Sequence, residues 1–342
     1  MAETDSSYDI TIIGGGPAGM FAGFYAGLRN AKTQIIESLS ELGGQVAALY
    51  PEKTILDVGG YPQIKARQLV DQLEKQLQDA KTTVKLNQTV IDVAKDENGY
   101  QVTTNKGTTT TKGIIIATGV GAFNPRKLAV KNSDDFEGKS LFYSVKNLVQ
   151  FKDKTVLVAG GGDAAIDEAL LLKSVAKKVY LLHRRDKFRA MESSVDRLIQ
   201  SAIEPVTPYL INGLTQLDNG QVKVEAKKMK TDDMKDLVVD KIVVNYGFIA
   251  QDDALNKWTD HPETSRGTIN VTASGLTDLD NVYAIGDVSK YEGKQPLIAT
   301  AFGEAPIAVN AIMKHIYPDR RGPVHSTSMQ SAKSCGSFAR FS

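Results

Sequence analysis

Two glycine runs carry the chemistry that can be read first. Gly14-Gly15-Gly16-Pro17-Ala18-Gly19 fits the spacing G-x-G-x-x-G, and Gly160-Gly161-Gly162-Asp163-Ala164-Ala165 fits the variant that ends in alanine. At this spacing the first glycine permits a tight turn and the second lets the backbone approach a pyrophosphate. The third small residue lets the following helix pack on the preceding strand, with the helix N-terminus facing the phosphates. Each run predicts a dinucleotide site.

The residues about twenty positions further on separate the two sites. Glu37 closes the strand after the first turn, whereas His183, Arg184 and Arg185 close the strand after the second. A carboxylate accepts hydrogen bonds from a free ribose 2′-hydroxyl and repels a 2′-phosphate. A guanidinium does the reverse, gripping phosphate in a planar fork. The first site therefore suits FAD or NAD and the second suits NADPH, with Lys187 and Arg189 adding positive charge near the second.

Elements that position these residues follow from the patterning. From Tyr8 to Ser38, and again from Lys154 to Arg185, an apolar β-branched run is followed by a glycine turn, a helical stretch and a second apolar strand. That order is the βαβ unit, which implies a parallel sheet covered on both faces. Leu69, Leu73 and Leu77 mark one face of a helix over residues 66–80. Residues 89–119 read as a small meander with a turn at Asn98-Gly99, and a second meander occupies Gln221 to Val244. A long helical stretch runs from Leu297 to Ile316, where Pro306 predicts a kink or an early break. The fold class is α/β, with two Rossmann-like, three-layer nucleotide-binding domains. The domain for NADPH (121–247) is inserted into the domain for FAD (1–120 and 248–342). The small, polar tail from about residue 329 is expected to be disordered.

Bulk composition narrows the function classes. The chain has 342 residues, 42% hydrophobic and 24% charged, which suits a two-domain globular protein. A net charge of +1 predicts no bulk attraction to nucleic acid or membrane, and no apolar run reaches the length of a membrane span. Cys335 is the single cysteine, so no intrachain disulfide, cysteine zinc cluster or dithiol pair can form. No metal site is expected, and a reducing cytoplasm is the simplest home.

The motifs together resemble the low-molecular-weight thioredoxin reductase superfamily, specifically its thioredoxin-reductase-like ferredoxin/flavodoxin–NADP reductase branch. The markers span about Tyr8 to Ser328: GGGPAG, Glu37, LGGQ at 42–45, LYPEKTILDVGGYP at 49–62, ATG at 117–119 and GAFNPR at 121–126. GGGDAA, HRRDKFRA at 183–190, YAIGD at 283–287 and HSTS at 325–328 complete them. The C-x-x-C pair that thioredoxin reductases carry ahead of the second glycine turn has no counterpart in residues 136–154.

The resemblance implies electron flow between NADPH and ferredoxin or flavodoxin, acidic electron-transfer proteins, through FAD. It also implies a homodimer. Gly14, Gly16, Pro17, Ala18, Gly19, Glu37, Gln45, Val90, Phe123, Asp287, Thr327 and Ser328 are then expected at FAD, with Tyr50 and His325 flanking its ring without acid–base work. Gly160, Gly162, Asp163, Ala164, Ala165, His183, Arg184, Arg185 and Arg189 are expected at NADPH. An NADPH-dependent flavin, quinone or ferric reductase is the alternative enzyme, and a redox-sensing flavoprotein without turnover is the alternative from another class.

Overall fold

The β-branched runs form parallel strands because neither face of them meets water. A computed structural model describes residues 7–121, 124–249 and 255–322. Its α-helices are α1 (Pro17–Leu28), α2 (Gly44–Ala48), α3 (Ala66–Gln78), α4 (Asp163–Lys173), α5 (Glu192–Ile199) and α6 (Ile298–Ile316). The chain divides into two units. The first comprises the described residues of Met1–Ala48, Thr54–Ala122 and Ala250–Ser342, and the second those of Leu49–Lys53 and Phe123–Ile249. Leu49–Lys53 thus groups with the second unit, whereas the sequence reading had it in the first.

In the first unit the sheet order is Thr83–Lys85, Thr33–Ile36, Ser7–Ile13, Gly107–Ile116, Gly99–Thr104, Val90–Asp96, and Val282–Ala284 also pairs with Gly107–Ile116. Pairing is parallel around Ser7–Ile13 and antiparallel across the meander. Ile10, Ile12, Ile35, Ile115 and Ile116 are all fully or almost fully buried, as a doubly covered parallel sheet demands. Leu69, Leu73 and Leu77 of α3 join Met20, Ala22 and Ala26 of α1 and Ala305, Ala308 and Ile312 of α6 in one core.

Helix α6 continues through Pro306 for 19 residues, so the expected break does not occur. A proline inside a helix costs about 3 kcal/mol. Here Ala301, Ala305, Ala308, Val309 and Ile312 are buried on both sides of it, and that burial outweighs the lost hydrogen bond.

The second unit carries a five-stranded parallel sheet in the order Leu141–Phe142, Lys241–Val244, Thr155–Ala159, Lys178–Leu182, Glu204–Val206. A three-stranded antiparallel sheet is built from Tyr209–Gln216, Val222–Lys228 and Met234–Val239. Lys241–Val244, read from sequence as the end of that meander, belongs to the parallel sheet instead. Ile242, Val243 and Val244 are buried in succession, which an alternating meander strand cannot satisfy. Among the described residues no helix is long and apolar enough to cross a membrane.

Candidate functional site

The first glycine turn is as tight as its spacing predicts. Gly14 has φ +108, and a side-chain carbon there would lie 2.4 Å from the Ala117 carbonyl oxygen. At Gly19 the same carbon would lie 1.9 Å from the Gly14 oxygen, so α1 and its strand could not approach as they do. At Gly16 it would meet nothing nearer than 4.0 Å, the Gly44 Cα. The backbone is therefore open on the side a pyrophosphate needs. Gly16 caps α1 with no side-chain hydrogen bond, and Pro17 stands at its start. The free N–H groups of the first turn remain available to an anion.

Glu37 and α2 complete the cradle. The Glu37 carboxylate is buried, accepting the Gly15 N–H at 2.7 Å through Oε2 and the Leu39 N–H at 2.8 Å through Oε1. Gly43 donates its N–H to the Gly15 carbonyl at 2.9 Å, so the LGGQ run docks on the glycine turn and brings Gln45, on α2, into the same neighbourhood. Asp287 arrives from the other side. It is exposed at a short turn, Gly286–Val288, whose first residue lies beside Ala18. Val90 is buried with Ile13, Ile36 and Val102. These groups fit FAD: an open phosphate cradle, a buried carboxylate at the strand end that could accept ribose hydroxyls, and a second carboxylate nearby.

The second glycine turn is covered by the loop that follows the neighbouring strand, Lys178–Leu182. Arg189 donates its N–H to the Gly161 carbonyl at 2.7 Å, and Met191 donates its N–H to Asp163 Oδ1 at 2.8 Å. Those two bonds clip residues 183–191 over the turn. Gly162 caps α4 with no side-chain hydrogen bond, as Gly16 caps α1. His183 lies against Gly161 so closely that a side-chain carbon there would be 2.2 Å from the ring. Its ring stacks on Phe188 at 5.5 Å. Burial holds the His183 imidazole below its usual range, and the cations of Arg185, Arg184 and Arg189 push it the same way. Arg184, Arg185 and Arg189 are exposed, and among the described residues none has a carboxylate partner. Unpaired guanidinium groups beside a helix N-terminus fit a phosphorylated dinucleotide. Ala164 and Ala165 occupy the first turn of α4, where Ala165 is buried.

Tyr50 falls in the segment that groups with the second unit, not with the glycine turn of the first. It is half-buried, its ring 5.9 Å from Lys53 Nζ, and Lys53 pairs with Asp167 of α4 at 2.7 Å. Phe123, His325, Thr327 and Ser328, and the tail from 329, lie outside the described residues. Among the described residues no group of three or more His, Cys, Asp or Glu side chains could hold a metal ion.

Buried acids escaped the sequence reading, two of them on helices. Glu168 of α4 accepts the Val145 N–H at 3.2 Å and the Asn245 Nδ2–H at 2.5 Å, and burial pushes its carboxyl up to about 7. Glu304 of α6 pairs with Lys294 at 2.6 Å, with both side chains almost wholly buried. The available signal was a carboxylate on the buried face of an otherwise apolar helix, as Ala165, Ala169 and Leu172 show around Glu168.

Comparison with known proteins agrees with this arrangement. The profile described as pyridine nucleotide-disulphide oxidoreductase matches residues 8–311. The ferredoxin–NADP reductase of Pediococcus pentosaceus is 52% identical over 94% of this chain and 98% of its own length. That of Enterococcus faecalis is 46% identical over 96% of this chain and 98% of its own. Among solved structures, the thioredoxin reductase of Lactococcus lactis superposes with a TM-score of 0.76 at 27% identity, covering 91% of this chain and 99% of that one. The thioredoxin reductase of T. acidophilum, at 24% identity, shares the fold with a TM-score of 0.80, over 91% of this chain and 99% of its own.

Proposed function

The chain belongs to the pyridine nucleotide-disulphide oxidoreductase family, and from that premise we propose that it moves electrons between NADPH and ferredoxin or flavodoxin through FAD. One observation carries the reading. Two matching glycine turns end in opposite charge, the buried Glu37 carboxylate at the first and the exposed Arg184–Arg185 pair at the second. One site therefore selects free ribose hydroxyls and the other a 2′-phosphate. The relatives named ferredoxin–NADP reductase support a protein acceptor.

FAD, when bound, supplies hydride exchange with a nicotinamide and onward transfer of single electrons. The protein's part is binding and orientation. The N–H groups of α1 and the open backbone at Gly16 hold the pyrophosphate, Glu37 the adenosine ribose, and Asp287 the ribityl hydroxyls. Gln45 contacts the ring, and Val90 supports it from the core. In the second unit the α4 N-terminus holds the NADPH pyrophosphate, and Arg184, Arg185 and Arg189 its 2′-phosphate. His183 stays neutral and keeps the arginine loop against the turn. With Cys335 as its single cysteine, the chain cannot form an internal disulfide relay of the thioredoxin reductase kind. A cytoplasmic homodimer completes the proposal.

The test begins with anaerobic titration of the FAD-loaded protein by NADPH and by NADH. The oxidised-flavin absorbance should bleach at far lower NADPH than NADH. An acceptor panel then follows: ferredoxin, flavodoxin, thioredoxin, a quinone and ferric citrate. Turnover with ferredoxin or flavodoxin is expected, and none with thioredoxin. A spectrum indifferent to NADPH would overturn the redox reading, and turnover with the quinone or ferric salt alone would overturn the protein acceptor.

A further inference from the structure

Gly286 is gripped at both of its backbone polar atoms by one buried ion pair. Its N–H donates to Glu304 Oε2 at 2.7 Å, and its carbonyl accepts from Lys294 Nζ at 2.7 Å. Lys294 also donates to Glu304 Oε1 at 2.6 Å and to the Ser289 hydroxyl. Tyr291 donates its hydroxyl to Glu304 Oε1 at 2.9 Å, and Ser289 donates to the Gly286 carbonyl at 3.0 Å. Every proton of the ammonium and both carboxylate oxygens are thus engaged. The side chains of Lys294 and Glu304 are only 9% and 11% exposed.

A pair buried this deeply adds little stability for its desolvation, and well-packed apolar residues would often do as well. What apolar residues could not do is fix the orientation of one peptide unit from both sides. Gly286 immediately precedes Asp287, an exposed residue whose carboxylate takes no hydrogen bond among the described residues, while partial burial of that carboxyl raises it above its ordinary range. A side-chain carbon on Gly286 would lie 3.1 Å from Ala18 Cβ, which places the gripped turn against the first helical turn of α1. The clamp therefore sets where one free carboxylate stands relative to the phosphate cradle.

We propose that Lys294 and Glu304 are positioning residues for the first dinucleotide site: by holding Gly286 they aim Asp287 at the hydroxyls of the bound ligand. The inference rests on the reading of that site as an FAD site. Releasing the clamp frees the turn, spreads Asp287 over several orientations and weakens the hold on the ligand, while the second unit is untouched.

The experiment follows FAD release from the full-length holoprotein after dilution, as the rise of free-flavin fluorescence. Far-UV circular dichroism and the NADP+ dissociation constant report the integrity of the fold. Glu304→Gln and the paired replacement Lys294→Met/Glu304→Leu should each release FAD at least tenfold faster than the parent. Their visible circular dichroism band should change, and NADP+ affinity should stay within twofold. Asp287→Asn should match them, and adding it to Glu304→Gln should give less than the product of the two effects. Release within twofold of the parent in both clamp variants would overturn the proposal. So would full additivity with Asp287→Asn, which would mean that the clamp acts elsewhere. If the paired replacement does not fold, Glu304→Gln, which keeps shape and an acceptor for the Gly286 N–H, decides alone. A parent protein that binds no FAD would instead remove the underlying reading of the site.

Discussion

The Glu37 carboxylate accepts the Gly15 N–H at 2.7 Å, joining the end of one strand to the glycine turn after another. The acid is thus placed before any ligand arrives, with its second oxygen held by the Leu39 N–H. Replacing Glu37 with Ala removes both a bond to the turn and the acceptor for a ribose. A hydrogen bond to a charged group is worth about 1.5–3 kcal/mol, so FAD retention should fall roughly 10- to 100-fold. Equilibrium titration of the FAD-free protein with FAD measures it, and an unchanged dissociation constant would show that Glu37 serves the turn alone.

Arg184 and Arg185 should decide coenzyme choice. Each charge-assisted bond to a phosphate contributes about 1.5–3 kcal/mol. Replacing both with Ala should therefore raise the NADPH dissociation constant by at least about tenfold and leave NADH nearly unaltered. Isothermal titration with both coenzymes checks this. A preserved NADPH/NADH ratio would assign the 2′-phosphate to other residues.

The contact between Gly161 and His183 predicts a rescue. A methyl group at Gly161 would fall 2.2 Å from the imidazole, so Gly161→Ala must displace the ring and the arginine loop clipped beside it. Overpacking of this kind costs about 1–3 kcal/mol, and NADPH binding should weaken severalfold or more. Adding His183→Ala makes room for the methyl group and should restore part of that affinity. FAD retention serves as the control, since the first unit is unaltered. Equal weakening in the single and double variants would mean that the turn, not the ring, is disturbed.

Glu168 should impose a pH dependence on stability. Burial raises its carboxyl from 4.5 to about 7 in the folded chain. The unfolded chain therefore loses this proton first as pH rises. Folding carries no penalty from the group below about pH 4.5, an increasing one up to about 7, and a constant one above. The full penalty is on the order of 3 kcal/mol. Glu168→Gln should remove it, so the thermal midpoint of the variant should gain on the parent between pH 5 and pH 7.5. A difference between the two proteins that does not vary with pH would show that Glu168 stays ionised.

Much of the architecture was legible in the residues because the motifs are local. A glycine turn, the strand before it and the helix after it lie within about thirty residues, so Gly14–Gly19 and Gly160–Ala165 announce βαβ units by themselves. The opposite charges of Glu37 and Arg184–Arg185 could be read from their distance down the chain, because a βαβ unit has a nearly constant length. At Pro306 the break did not follow, because sequence displays the missing N–H but not the packing of Ala301, Ala305 and Ile312 that carries α6 past it. Lys241–Val244 misled because an apolar run after a meander looks the same whether it ends that meander or enters another sheet.

By itself, then, the sequence determined where two phosphate-gripping turns could form and which charge follows each, and that no dithiol could form within the chain. Tertiary structure alone decided that Glu304, Lys294 and Gly286 would meet, that His183 would lie against Gly161, and that Glu168 would be buried beneath Asn245. Glu304 and Gly286 approach through a helix and a turn with no shared periodicity, and the ring of His183 reaches Gly161 from the end of the neighbouring parallel strand. Contacts of that kind depend on how elements pack, and burial, which sets the charge of Glu168, exists only after they have packed.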